Sequence, residues 1–351
     1  MYDKRQQKKS AVNVNKEDLI MVKTFGSKAT RFGFGEGLVE LGKKDNKIFV
    51  LGADTVSSVA INEFQNNFPD RFANVGIAET NMLGMAAGLA VAGFIPFVST
   101  YGVFASGRPW EQIRTTICYS DLNVKIGGSH SGLMVGPDGA THQALEEIAI
   151  MRCLPNMTVL VPCDVTETKK AVMAAAYHNG PVYIRYGRES IPIITEETTP
   201  FEIGKAVKMK EGKDVCIVAC GSMVYEALSA AEILEKEGIS ARVLNIHTIK
   251  PIDKDAIISA AKDCGAIVSA EEHQIFGGFG SAVAEVVVGN CPVPMEFIAV
   301  NDTFGESGSP ADLMVKYGLK DINIVAAVKN VLKRLFFLPL QMIFSNSTLI
   351  H

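Results

Sequence analysis

The stretch "FANVGIAETNMLGMAAGLAVAGFIPFVSTY", Phe72 to Tyr101, decides the fold. A short apolar β-run leads to Glu79. An uncharged small-residue segment of helical length follows, and then a second apolar β-run, "IPFVSTY". Strand, helix and strand in that order form the unit from which parallel sheets are built. The small residues of "NMLGMAAGLAVAG" predict a buried helix packed close to its neighbours.

The alternation extends both ways. "NKIFVLGAD" reads as a strand upstream. Downstream come an amphipathic helix "PWEQIRTTICY", a strand "NVKIGGS", a helix "THQALEEIAIMRCL", a strand "MTVLVPC", a helix "VTETKKAVMAAAYH" and a strand "PVYIRYG". Strands that are apolar throughout belong to a sheet covered on both faces. Residues 25–190 therefore read as one parallel-sheet α/β domain. "ESIPIITEETTPFEIGKA", rich in proline and acid, interrupts the pattern and marks a linker at 191–203. A second parallel-sheet α/β domain, 204–334, follows, built from segments such as "DVCIVACGS", "SARVLNIHTIKPID", "GAIVSAEEH" and "MEFIAV" with helical runs between them. Its helix "YEALSAAEILEKEG" carries an apolar stripe at i, i+3, i+4 and stops at Gly238, where a left-handed cap belongs.

The 351 residues suffice for two domains with full cores. Hydrophobic residues make up 48% and charged residues 21%, the balance of a soluble globular chain. A net charge of −4, with no basic surplus, argues against a nucleic-acid partner. Seven cysteines, at 118, 153, 163, 216, 220, 264 and 291, form no CxxC pair and sit mostly among apolar neighbours. They read as reduced, buried thiols of a cytoplasmic protein. Residues 1–24 read as a flexible extension, without the apolar core of a secretory signal or the acid-free character of a transit peptide. The last helix ends at "KNVLKR", and 335–351 is an apolar tail too short to span a bilayer.

Ligands of open α/β sheets bind at the carboxyl ends of the strands. Asp54, Glu79, Tyr101, His130 and Arg188 each end or follow a predicted strand. Glu79 lies between an apolar strand and an uncharged helix, so its carboxyl is expected to be desolvated, raised in pKa and able to share a proton with a ligand nitrogen. The alternative is an acid placed there by the helix dipole. His130, Asp138 and His142 share a loop made supple by Gly132, Gly136 and Gly139. Neutral imidazoles there can take and return hydroxyl protons. A zinc site, or a merely polar loop with Thr141 as a helix cap, are the competing readings. Two glycine clusters, "GFGEG" and "GGFGSAVAE", miss the dinucleotide fingerprint.

Four segments, "VGIAETNMLGMAAGLA", "SHSGLMVGPDGATHQALEE", "RCLPNMTVLVPCD" and "YIRYGRESIP", together resemble the transketolases, and more narrowly the separate C-terminal subunit of split transketolases. The resemblance spans about 25–330. It implies a thiamine diphosphate-binding, pyrimidine-type domain followed by a transketolase C-terminal-type domain. It implies that Glu79 bonds the aminopyrimidine ring and activates the cofactor. An aromatic of "TYGVFASG" would stack on that ring; Tyr101 and Phe104 both fit, with Phe104 preferred. Asp54 is grouped with these cofactor-binding residues. His130 and His142 would contact the donor sugar's hydroxyls, His142 as a proton shuttle. Asp138 would read a sugar hydroxyl, and Arg188, Arg31 and Ser57 would hold the sugar phosphate.

The family's GDG signature, which binds Mg²⁺ and the diphosphate, is absent from the chain. The resemblance therefore implies an N-terminal partner subunit carrying GDG and most of the Mg²⁺ site. It further implies an α₂β₂ assembly, with the second domain serving subunit packing rather than chemistry. The expected activity is transfer of a two-carbon ketol unit from a ketose phosphate to an aldose phosphate in the pentose phosphate pathway. Rivals of the same fold are a deoxyxylulose-phosphate synthase-like subunit, a 2-oxoacid dehydrogenase E1 β-like subunit and a non-catalytic scaffold subunit.

Overall fold

The computed structural model describes residues 22–345, with side chains through residue 335. Residues 1–21 of the expected extension and 346–351 of the expected tail lie outside the described residues.

Two α/β units stand in sequence, each around its own sheet. The first sheet has seven strands in the order Thr248–Lys250, Thr158–Leu160, Val182–Arg185, Lys125–Ser129, Ile95–Tyr101, Ile48–Gly52, Phe72–Asn74. All neighbours run parallel except the edge strand Thr248–Lys250, which runs antiparallel. Helices cover both faces, and every residue of Lys125–Ser129 is buried. The glycines of "KIGGS" permit this closeness. A Cβ on Gly127 would lie 2.6 Å from the Phe34 ring, and one on Gly128 would lie 2.0 Å from the Tyr183 hydroxyl.

The second sheet has five strands: Met295–Val300, Ile267–Gln274, Val215–Ala219, Ala241–Asn245 and Val207–Lys210, the last antiparallel. Its helix Met223–Lys236 ends as the stripe and Gly238 predict. The Gly238 backbone is left-handed (φ +80°), and Ile239 N–H returns to Leu234 O at 2.9 Å.

Both glycine clusters have structural work. "GFGEG" lies inside the helix Thr30–Lys44, where Gly33 and Gly37 let it press on the helix Val165–Tyr177. "GGFG" opens the helix Phe279–Asn290, and the anion at that helix end is the chain's own Glu271, which accepts from Phe279 N–H and Gly280 N–H at 2.7 Å each.

Five expectations change. The helix Glu79–Val91 buries Met82, Leu83, Ala86 and Ala87, but Met85 and Val91 are exposed and nothing faces Gly84 or Gly88. Its composition is apolar all round, so the sequence carries no sign of the open face. The expected helix from Thr141 begins only at Glu147, and its N-cap is Glu146 without a side-chain bond. Tertiary pairing overrides the helical pattern there: Ala144 bridges Ser131 and accepts from Gly132 N–H at 2.8 Å. The last helix runs Asp321–Ser345, past the expected end near Arg334; Leu, Met and Gln are strong helix formers and extend it beyond Pro339. The linker is tied down. Ser190–Pro192 pairs with Ser27–Ala29, and the buried Asp164 carboxylate accepts from Ile194 N–H and Thr195 N–H. Finally, Cys153 is exposed and Cys291 half-buried; the other five thiols are buried, and all seven are free.

Candidate active site

The parallel topology brings the predicted residues to one edge. Asp54 follows Ile48–Gly52, Glu79 follows Phe72–Asn74, Tyr101 ends Ile95–Tyr101, His130 follows Lys125–Ser129 and Arg188 follows Val182–Arg185. These five strands are mutually parallel neighbours, so their carboxyl ends share one side.

Glu79 is the first residue of its helix, where the dipole favours an acid, and is 4% exposed. The sequence reading omitted its neighbour. Arg108 Nη1 donates to Glu79 Oε1 at 2.7 Å, and the guanidinium lies 4.0 Å over the Phe104 ring. The buried carboxylate thus has a charged hydrogen-bond partner. The signal was available: Phe104 and Arg108 stand four apart across a helical turn and therefore share a face.

An aromatic wall continues from there. Phe104 and Tyr101 are parallel at 6.0 Å, and Tyr101 stacks on His130 at 4.0 Å. His142 meets both rings edge-on, at 5.3 Å and 5.9 Å. Its Nδ1 pairs with Thr141 Oγ1 at 2.9 Å. Glu79, Arg108, Phe104, Tyr101, His130 and His142 thus form a continuous surface.

His130 has a left-handed backbone (φ +53°) that the sheet edge holds in place, and its Nδ1 pairs with Ser129 Oγ at 2.8 Å. Burial, together with the positive charges of Arg31 and Arg188, pushes its pKa down to about 3. The imidazole is therefore neutral throughout the physiological range. Its ring-nitrogen NMR shifts are expected to stay flat from about pH 5 to 8, where an ordinary histidine titrates; an inflection inside that window would contradict this geometry.

A cationic corner adjoins it. Arg31 N–H donates to Gly187 O, which brings Arg31 beside the residue preceding Arg188. Arg31 Nη1 donates to Ser58 O at 3.0 Å, whereas its buried Nε has no partner. The contact falls on Ser58, one residue past the predicted Ser57. Arg188 Nη1 donates to Asp138 Oδ1 at 3.1 Å, which joins two predicted site residues directly. Asp54 stands apart and exposed, with a left-handed backbone (φ +59°) fixed by Asn74 Oδ1, which accepts from Asp54 N–H at 2.9 Å.

The arrangement offers a carboxylate beside a stacking ring, two imidazoles, and two arginines, of which Arg31 keeps a buried Nε without a hydrogen-bond partner. Among the described residues no three His, Cys, Asp or Glu side chains converge in a way that could hold a metal ion. No helix among them is long and apolar enough to cross a membrane.

Residues 26–193 match the family description "Transketolase, pyrimidine binding domain", and 204–324 match "Transketolase, C-terminal domain". The chain is 47% identical to a putative transketolase C-terminal section from Methanocaldococcus jannaschii, over 90% of this chain and 100% of that one. It is 43% identical to a 6-deoxy-6-sulfo-D-fructose transketolase subunit from a Clostridium species, over 85% and 92% respectively. Among solved structures it is similar to one described as a split gene transketolase, inactive beta4 tetramer. The TM-score is 0.81 and the identity 49%, covering 88% of this chain and 99% of that one.

Proposed function

The chain belongs to the transketolase family, and from that premise we propose that it is the C-terminal subunit of a split, thiamine diphosphate-dependent transketolase. The observation that carries the cofactor reading is the Arg108 guanidinium. A planar N–H donor lies 4.0 Å over the Phe104 ring and bonds Glu79, which is the pair of contacts an aminopyrimidine ring would need. The residues present therefore fit that ring: Glu79 would hold its nitrogen and Phe104 its face. Phe104 is the stacking residue on this reading, with Tyr101 behind it.

When bound, the cofactor supplies the carbanion stabilisation that ketol transfer requires. The chain supplies the rest. Glu79 holds a proton shared with the ring nitrogen. His130, kept neutral, accepts or donates hydrogen bonds to donor hydroxyls, and His142 moves the hydroxyl proton at the reacting carbon. Asp138 reads a sugar hydroxyl. Arg31 and Arg188 hold a terminal phosphate, the orphaned Arg31 Nε supporting an anion at that corner. The GDG-bearing partner contributes the diphosphate and Mg²⁺ sites, in an α₂β₂ assembly placed in the cytoplasm. We divide the chain at the linker 191–203, and the edge strand Thr248–Lys250 crosses back to pair with Thr158–Leu160.

Mixing the chain with a GDG-bearing N-terminal subunit, thiamine diphosphate and Mg²⁺ is expected to yield ketol transfer between sugar phosphates. Activity of the chain alone would contradict the two-chain reading, and pyruvate turnover without sugar-phosphate turnover would favour the synthase or E1-like rival. In the reconstituted enzyme, Arg188→Ala is expected to raise KM for phosphorylated sugars about tenfold or more, with unphosphorylated sugars little changed. Equal effects on both would remove Arg188 from the phosphate corner.

A further inference from the structure

The loop from His130 to Glu146 carries His130, Asp138 and His142 and turns sharply at three glycines. Gly132, Gly136 and Gly139 all have left-handed φ, at +89°, +77° and +77°. The short 3₁₀ segment Leu133–Asp138 is broken at Gly136. Gly132 N–H to Ala144 O closes the loop's base, and the glycines between lose the most conformational freedom when the loop is ordered.

Much of its support comes from the second domain. Glu272, near the carboxyl end of the internal strand Ile267–Gln274, is 3% exposed and points at the loop. Its Oε1 accepts from Met134 N–H at 2.8 Å, and its Oε2 accepts from Ser222 Oγ at 2.8 Å. Gly132 passes so close that a Cβ there would lie 2.2 Å from Glu272 Oε1. Two residues on, Gln274 N–H donates to Leu145 O at 2.8 Å, which fastens the loop's far end. Gln143 Nε2 donates to Glu306 O at 3.0 Å and to Leu133 O at 3.2 Å, drawing the two limbs together.

We infer that Glu272 is a positioning residue for the sugar-binding loop, so that the second domain sets substrate affinity by holding Met134 four residues after His130. This rests on the transketolase reading of His130, Asp138 and His142. It assigns the second domain a part in substrate recognition, where the sequence suggested subunit packing alone. The cofactor wall of Glu79, Phe104 and Arg108 makes none of these contacts and meets the loop through the edge-on ring of His142, at 5.3 Å from Phe104.

The test is Glu272→Ala against Glu272→Gln, whose amide can still accept from Met134 N–H and donate to Ser222. In the full chain, Glu272→Ala is expected to speed amide hydrogen exchange across 130–146 by about tenfold or more, while the peptides of 79–104 keep the parental rate. In the reconstituted enzyme it is expected to raise KM for the donor ketose phosphate by about 10–100-fold, with the affinity for thiamine diphosphate within about twofold. Glu272→Gln is expected to restore both. Unchanged exchange in 130–146, a parallel loss of cofactor affinity, or failure of the Gln variant to rescue would each overturn the inference. Should Glu272→Ala not fold, Ser222→Ala decides: it removes one anchor of the carboxylate and is expected to speed the same peptides by a smaller factor, and no change would overturn the inference. A parental complex that transfers no ketol group would instead sink the functional reading, while the exchange data would still judge Glu272.

Discussion

Glu79→Gln is expected to lower turnover of the reconstituted enzyme by about 10²–10⁴-fold, the range of a positioned acid–base group. The amide matches the carboxyl in shape and can bond a ring nitrogen, but it cannot share a proton with it. The fold should survive. Arg108, the partner left behind, has a side chain 48% exposed, so water can solvate the freed guanidinium. The rest of the Glu79 surroundings is the helix Glu79–Val91, held by Met82, Leu83 and Ala86 in the core. Circular dichroism and melting temperature should therefore stay close to the parent's. The decisive measurement is H/D exchange at C2 of thiamine diphosphate bound to the complex. It is expected to slow in step with turnover, and a parental exchange rate in the variant would remove Glu79 from cofactor activation whatever happened to kcat.

The residues that were legible in the sequence share one property: their positions follow from local pattern plus topology. Alternating strands and helices dictate a parallel sheet, and a parallel sheet gathers its carboxyl ends. That logic alone placed Asp54, Glu79, Tyr101, His130 and Arg188 on one edge. What was not legible depends on meetings between distant segments. The pattern "THQALEEIAIMRCL" has a helical period, yet Gln143 bonds Leu133 O and Glu306 O and keeps its neighbourhood out of the helix. The strand Thr248–Lys250 has three residues and lies within the second block, so nothing local assigns it to the first sheet. Glu271, Glu272 and His273 end an apolar strand and carry charge, yet all three are buried: Glu271 under the helix Phe279–Asn290, Glu272 against Met134 and His273 against Ala149. Burial of that kind is a tertiary fact. The open face of the helix Glu79–Val91 is the converse case, since an apolar stretch gives no hint of which side lacks a neighbour.

Arg185→Met is expected to destabilise the chain by about 3–5 kcal/mol, because it removes one side of a buried ion pair and strands the other. Arg185 lies across the domain boundary with a side chain 6% exposed. Its Nε donates to Glu147 Oε1 at 2.5 Å, and its Nη2 donates to Glu272 O at 2.7 Å. Glu147 Oε2 has no partner of its own, so the guanidinium is what makes that carboxylate tolerable inside. Burial already holds the Glu272 carboxyl above the usual range, and Arg185 opposes that rise. Without the arginine the folded-state pKa moves further above the unfolded value of about 4.3. A carboxyl raised in the folded state binds more protons there than in the unfolded chain, so its stability contribution is present at low pH and lost as pH climbs through the folded pKa. The variant's melting temperature should therefore lie roughly 10 °C below the parent's near neutrality. Its deficit should also shrink as pH falls from about 8 to 5. Adding Glu147→Gln should recover part of the loss, since it withdraws the stranded charge. Thermal melts across that pH range test both statements; parallel melting curves for parent and variant at every pH would show that Arg185 acts through packing and not through charge.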